Sequence, residues 1–137
     1  MKLIDTLCGA LLLAVSQAGA ADLTIHVDDV KEAGGRIEVA LYSSAGTFLK
    51  TTVGIAGAAA NLTANTVVLK HLPVGEYAFA VFHDANSNGK LDKNMLGIPT
   101  EDYAFSNNAL GKMGPPSFEQ ARFTLPAAGA PLRVTLH

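Results

Sequence analysis

Hydrophobic and polar residues alternate along most of the chain, which is the pattern of a strand with one buried face. The alternation is clearest in residues 23–27 and 37–41. Residues 65–70 contain a β-branched run, and residues 77–82, in which Tyr, Phe and Val alternate with Ala, Ala and Phe, are the most strand-like segment of the chain. Two further candidate strands, residues 121–125 and 132–136, lie near the C-terminal end. Residues 48–60 are rich in Ala and Gly, and their pattern fits an edge strand, a short helix or a loop equally well.

Glycine and proline separate these segments. Gly34-Gly35 predicts a hairpin turn between the first two strands, and residues 72–75 predict a second turn. About seven short strands without an amphipathic helical stretch predict an all-β fold, a single antiparallel β-sandwich of immunoglobulin-like or transthyretin-like type. Residues 83–120 form one long loop, which we expect to be ordered because its Leu, Ile, Tyr and Phe residues are too apolar for a solvated linker.

The N-terminal segment has the pattern of an export signal. A basic start precedes an apolar run at residues 7–15, and the small residues 18–20 form a cleavage signal of the A-x-A kind. A membrane span needs roughly 20 apolar residues, so this run is too short to be one. We therefore predict a signal peptide at residues 1–20, cleaved after Ala20, and a mature β-sandwich domain at residues 21–137. The expected location is periplasmic or secreted, with no transmembrane segment after cleavage.

Composition narrows the classes of partner. Ten Lys and Arg residues against twelve Asp and Glu give a formal net charge of −2, so the chain lacks the basic surplus that neutralises a phosphate backbone, and we expect no nucleic-acid partner. The single cysteine, Cys8, lies in the predicted signal peptide and excludes an intrachain disulfide. The predicted mature chain, residues 21–137, is long enough to bury an independent core without disulfides, so we expect a monomer.

The most informative motif begins the long loop. Residues 84–92 have the sequence Asp-Ala-Asn-Ser-Asn-Gly-Lys-Leu-Asp and match the first nine positions of the calcium loop D-x-[DN]-x-[DN]-G. Calcium takes six to eight oxygen ligands, and alternate side chains converge on one point if the chain turns sharply at the glycine. We expect Leu91 to point into the core. The predicted ligands in this loop are Asp84, Asn86, Asn88, the carbonyl oxygen of Lys90 and Asp92.

The motif stops short of a complete EF-hand. Met95 stands where the twelfth position carries a bidentate Glu, and no flanking helices are predicted. A further carboxylate must come from elsewhere in the chain, with Glu101 as the first choice and Asp102 as the second. A competing interpretation needs no ion: the Asp and Asn side chains form Asx-turns, and Asn88-Gly89 forms a tight turn.

Several spaced motifs carry a family resemblance. They are Leu72-Pro-Val-Gly-Glu-Tyr77, the Asn-x-Asn-Gly-x-Leu-Asp loop, Leu96-Gly-Ile-Pro-x-Glu101, Tyr103-x-Phe-Ser106 and Gly114-Pro-Pro-Ser-Phe118. In this order, over residues 37–136, the chain resembles the bacterial exported family labelled domain of unknown function 2141. The resemblance implies a secreted or periplasmic β-sandwich and assigns no activity.

Three function classes are compatible with these observations. The leading one is a non-enzymatic exported module whose calcium-ordered loop presents a rigid surface to an unknown protein, an envelope component or a small ligand. The second is a periplasmic hydrolase with its active site in residues 83–118, which requires His83, Glu101 and either Ser106 or Ser117 to meet in an open cleft. The third is a purely structural assembly subunit that pairs through an exposed edge strand. We assign no catalytic residue.

Overall fold

The computed structural model describes residues 19–137, which form two β-sheets packed face to face. All of the predicted signal peptide except Gly19 and Ala20 lies outside the described residues. In chain order the elements are β1 (Ala20–Asp28), β2 (Arg36–Tyr42), β3 (Gly54–Ala59), β4 (Asn65–Pro73), β5 (Gly75–Asp84), β6 (Tyr103–Phe105), a 3-10 helix (Ser106–Asn108), α1 (Phe118–Ala121), β7 (Phe123–Leu125) and β8 (Ala130–Thr135).

The strand order is β4-β1-β8 in the first sheet and β3-β2-β5-β6 in the second, where β7 pairs with the beginning of β5. Nearly all of these pairs are antiparallel, which confirms the predicted all-β sandwich. The pair β1–β8 is parallel, in contrast to the purely antiparallel arrangement we expected. The reason is that β7 runs antiparallel to β5 and brings the chain back to the end where β1 begins, so that β8 starts beside the start of β1.

The main core lies between the sheets and follows the predicted alternation. Buried and exposed positions alternate through β1, β2 and β4, because successive side chains of a strand point to opposite faces. The core includes the fully buried residues Leu23, Ile25, Ile37, Val39, Phe79 and Val81. The strands predicted at residues 23–27, 37–41, 65–70 and 77–82 are therefore confirmed.

The outer face of the second sheet carries a smaller apolar cluster. Ala78 in β5 packs there with Phe105, Phe118 and Ala121. The ring of Phe48 makes an edge contact with that of Phe118, with 5.9 Å between the ring centroids. β5 is therefore buried on both faces along part of its length. Because the cluster covers only part of this face, the remainder stays open beside the long segment that follows β5.

Gly34-Gly35 does not form the predicted hairpin turn. β1 and β2 belong to different sheets, so the two glycines carry the chain across the sandwich. Gly35 has a φ of 67°, and a Cβ at this position would collide with the carbonyl oxygen of Asp84. A glycine is needed here because the chain passes directly against the end of β5.

The remaining segments resolve the open alternatives. Residues 48–60 contain the edge strand β3, which pairs with β2. The predicted long loop is interrupted by β6 and α1, and the predicted strand at residues 121–125 begins only at Phe123. The preceding helical turn starts at Ser117, whose hydroxyl accepts a hydrogen bond from the backbone N–H of Gln120 while the Gln120 side chain accepts one from the N–H of Ser117.

Candidate functional site: the loop after β5 and its surroundings

The motif loop begins with a buried carboxylate. Asp84 ends β5 and is 1% exposed. Its Oδ1 accepts a hydrogen bond from the N–H of Asn88 at 3.1 Å, and its Oδ2 accepts one from the N–H of Gly89 at 2.7 Å. Gly89, the sixth position of the motif, has a φ of 77°. The sharp turn at this glycine folds the loop back over the Asp84 carboxylate.

A second carboxylate joins the two ends of the loop. The Oε2 of Glu101 accepts a hydrogen bond from the N–H of Ala85 at 2.8 Å, and its Oε1 accepts one from the N–H of Asp92, also at 2.8 Å. Glu101 reaches this position because Tyr103 in β6 pairs with Phe82 in β5, which returns the chain to the start of the loop. The residue chosen from the sequence to complete the motif therefore lies against it.

The side chains at the third, fifth and ninth positions are joined directly. Asp92 accepts hydrogen bonds from the amide nitrogen of Asn86 at 2.6 Å and from that of Asn88 at 2.7 Å. The carbonyl oxygens of the two amides accept the N–H groups of Asn88 and Lys90 at 3.3 and 2.9 Å, each two residues further along the chain. These contacts have the form of the Asx-turns that the ion-free interpretation predicts.

The structure thus brings the predicted ligand side chains into one hydrogen-bonded loop. They are Asp84, Asn86, Asn88, Asp92 and Glu101, and Lys90 contributes backbone to the same turn. Asp102 lies outside this network, since its carboxylate is 3.7 Å from the ammonium of Lys31. Within residues 19–137, no three or more His, Cys, Asp and Glu side chains are grouped so that they could hold a metal ion. In this conformation the carboxylates bind N–H groups instead.

A small polar pocket of about 210 Å³ lies beside the loop, and both His83 and Glu101 line it. His83 is buried, and its Nε2 lies 2.7 Å from the carbonyl oxygen of Gly34. This contact ties the end of β5 to the Gly34-Gly35 crossing. The two groups that the hydrolase interpretation needs are therefore neighbours.

Neither candidate serine lines this pocket. Ser106 is fully buried; its Oγ accepts a hydrogen bond from the N–H of Phe79 at 3.0 Å and donates one to the carbonyl oxygen of Ala121 at 2.5 Å. Ser117 caps α1. Both hydroxyls have structural partners, so the meeting of serine, histidine and carboxylate that a hydrolase requires does not occur.

A larger groove, which the sequence did not indicate, lies over the open part of the second sheet. Its volume is about 990 Å³, and its lining is mostly apolar. Ala40 and Ala80 form the floor, and residues 91–99 and 111–115 contribute the sides. Burial raises the pKa of the Tyr42 phenol in the lining above its ordinary value.

Several apolar residues of the long segment were expected to pack on the sandwich, and only some do. Phe105 and Phe118 are buried, whereas Leu96 is 84% and Ile98 56% exposed. Leu91, expected to point into the core, is half-buried and lines the groove. The difference arises because the aromatic cluster already occupies one end of the sheet face, and the segment 91–99 stands at the other end.

Comparison with known families identifies the chain. Residues 25–132 match the family described as "Uncharacterized protein conserved in bacteria (DUF2141)". The chain belongs to the DUF2141 family. The matched region runs from β1 into β8, so it includes the loop and both sides of the groove. No curated protein and no solved structure matches the chain. No helix among residues 19–137 is long and apolar enough to cross a membrane.

Proposed function

We propose that this DUF2141 chain is an exported binding module whose loop at residues 84–92 takes up calcium and is ordered by it. The observation that carries the proposal is the position of Glu101. The motif lacks its twelfth-position carboxylate, and Glu101 supplies a carboxylate that touches both the first turn and the ninth position of the loop.

The loop offers the ligand chemistry that calcium prefers. Asp84, Asp92 and Glu101 supply carboxylates, and two Asn side chains and a backbone carbonyl supply neutral oxygens. A carboxylate oxygen that accepts one N–H keeps a further lone pair, so the observed hydrogen bonds are compatible with an ion. Binding requires the amides of Asn86 and Asn88 to turn their oxygens inward in place of the nitrogens that now face Asp92.

The physical gain from an ion is electrostatic. Asp84, Asp92 and Glu101 together carry a formal charge of −3 along one hydrogen-bonded loop, and a calcium ion that drew them together would leave the site with a formal charge of −1. The ion would also offset the entropy of ordering a long loop, which costs about 1–2 kcal/mol per residue for the backbone alone. Because the predicted mature chain contains no cysteine, calcium would be its cross-link.

Export is tested by N-terminal sequencing of the protein recovered from the periplasm or medium of its bacterial host. We expect a mature chain that begins at Ala21. A protein that keeps residues 1–20 and stays in the cytoplasm would contradict both the signal peptide and the location.

Calcium binding is tested by thermal unfolding of the mature chain. With a dissociation constant on the order of 10⁻⁴ M, typical of extracellular sites, about 10 mM calcium stabilises the fold by ~2.7 kcal/mol. For a domain of this size we expect the melting temperature to rise by roughly 10 °C. Addition of a chelator should reverse the rise, and magnesium at equal concentration should not reproduce it.

Two matched variants make the test specific. Asp92→Asn removes one carboxylate from the loop and should abolish the rise. Glu119→Gln removes the same charge from α1, where Glu119 pairs with Arg122 at 3.0 Å, and should preserve it. If calorimetry detects no binding heat and chelator leaves the wild-type melting curve unchanged, the loop is closed by its Asx-turns alone.

The assembly-subunit alternative has one supporting observation. β3 lies at the edge of the second sheet, consists of Gly and Ala around Ile55, and carries none of the charged residues that block edge pairing. Sedimentation at increasing concentration distinguishes the two functions. A single monomeric species supports the binding module, and concentration-dependent growth that Ile55→Lys removes supports assembly.

A further inference from the structure

The floor of the groove is formed by strand residues of the second sheet. Ala40 and Ala80 are cross-strand partners, and their neighbours in the same row are Ile55 on β3 and Phe105 on β6. Two methyl side chains between larger residues leave a depression on the sheet, because each strand side chain stands roughly perpendicular to it. The groove therefore exists in the folded sheet and does not depend on the loop conformation alone.

The two sides of the groove restrict what can enter. Leu91, Leu96 and Ile98 contribute one side, and Met113 and Pro115 contribute the other. A flat protein surface cannot reach the alanine floor between two raised sides, whereas a narrow, flexible chain can. The volume of about 990 Å³ lies at the upper end of the range for small-molecule sites, roughly 300–1,000 Å³.

The lining is mostly apolar and contains one charged side chain. Lys93 is the only ionisable side chain other than tyrosine among the described residues that line the groove, and no carboxylate lines it. The backbone of Lys93 forms a bridge with Pro99, which fixes its position in the segment 91–99. An ammonium beside an apolar channel complements a ligand with a hydrophobic tail and an anionic head.

We propose that this groove binds a single-chain amphiphile with an anionic head, of the free fatty acid class. The acyl chain lies over Ala40 and Ala80 between the two sides, and the carboxylate meets the ammonium of Lys93. The exposed side chain of Met113 packs on the acyl chain, since its flexible thioether adapts to irregular apolar shapes. This proposal is independent of calcium binding by residues 84–92.

Isothermal titration of the mature chain with laurate, below its micellar concentration, tests the proposal. We expect saturable binding with one laurate per chain. Dodecanol has the same alkyl chain without the charge and should bind at least tenfold more weakly than laurate. Octanoate keeps the charge but buries fewer methylenes, and it should also bind at least tenfold more weakly. All titrations should include chelator, so that a failure of the calcium proposal does not affect the result.

Charge variants identify the site. Lys93→Glu should weaken laurate binding at least tenfold, whereas Lys70→Glu, the same charge change on an exposed position of β4, should leave it unchanged. Ala40→Leu, which fills the floor, should weaken laurate and dodecanol alike. Circular dichroism and melting curves of each variant verify that the fold is retained.

Three outcomes would overturn the proposal. The first is absence of laurate binding at about 100 µM. We expect a dissociation constant on the order of 1 µM, so this concentration is about one hundred times higher. The second is an equal loss of affinity in Lys93→Glu and Lys70→Glu, which would show a nonspecific charge effect. The third is binding to anionic phospholipid vesicles without binding to free laurate, which would assign the groove to a membrane surface.

Discussion

Asp84 shows at the scale of one residue how the loop is encoded. Burying a carboxylate is costly unless hydrogen bonds compensate, and here the N–H groups of Asn88 and Gly89 do so. All three residues lie within one short stretch, so the contact is a property of the local sequence. This is why the spacing of Asp84, Asn88 and Gly89 is enough to indicate a tight turn at this place in the chain.

Ser106 carries a structural prediction of its own. Its Oγ joins the N–H of Phe79 in β5 to the carbonyl oxygen of Ala121 in α1, and it is fully buried. Ser106→Ala leaves both backbone groups without this partner, and we expect the free energy of unfolding to fall by about 2 kcal/mol. Urea denaturation measures the change.

Ser43→Ala is the control for this substitution, because Ser43 is exposed and a surface change of this kind stays within about 0.5 kcal/mol. The structural role would be contradicted if Ser106→Ala left the stability unchanged and abolished a hydrolytic activity of the wild-type protein. That result would support the hydrolase alternative with Ser106 as its serine.

At the scale of elements, α1 acts as a cover for the outer sheet face. This single helical turn presents Phe118 to Phe48 and Phe105. Phe118→Ala opens a cavity in the smaller cluster, and we expect it to lower the free energy of unfolding by about 3 kcal/mol. Leu110→Ala, at a residue that is 64% exposed, should change it by less than about 0.5 kcal/mol. If Phe118→Ala lowers the free energy of unfolding no more than Leu110→Ala does, the smaller cluster does not contribute to stability.

Element length explains which parts of the fold could be predicted. β1, β2, β4 and β5 are long enough for a strand pattern to be recognised, by alternation in β1 and β2 and by β-branched and aromatic residues in β4 and β5, and the sequence indicated all four. β6 has three residues and α1 has four, so a period has no room to show. β7 also has three residues, and the strand predicted for it at residues 121–125 began two residues too early. β3 is composed almost entirely of Gly and Ala, whose small side chains leave the buried and exposed faces alike.

Connections between elements were less predictable than the elements. A pair of glycines permits a sharp change of direction, but the local sequence does not determine whether the chain returns in the same sheet or crosses to the other. At Gly34-Gly35 the deciding contact is the close approach to the end of β5, far away in the sequence. The parallel pairing of β8 with β1 depends in the same way on the distant placement of β7.

At the scale of the whole molecule, the two proposed sites differ in how the sequence encodes them. The loop is contiguous apart from Glu101, and a spacing rule found it. The groove joins Ala40 from β2, Ala80 from β5 and the segments 91–99 and 111–115, which only the folded sheet brings together. A single sequence shows the apolar residues of these segments, but it does not show that they lie around one groove.

The segment 91–99 belongs to both features, which leads to a prediction about the intact protein. Glu101 closes the loop onto Asp92, and the side of the groove begins at the neighbouring Leu91. If calcium orders residues 84–92, it also restricts this side and lowers the entropy lost when an amphiphile binds. We expect saturating calcium to tighten laurate binding by about fivefold, the low end of typical coupling between sites.

Linkage makes this prediction reciprocal, so saturating laurate must tighten calcium binding by the same factor. Paired titrations, laurate with calcium or chelator and calcium with or without laurate, measure both directions. Asp92→Asn should remove the coupling while its affinity for laurate equals that of the calcium-free wild type. Equal laurate affinities with calcium and with chelator would show that the loop and the groove are independent. In that case calcium would restrict residues 84–92 without changing the flexibility of the groove side that follows Asp92.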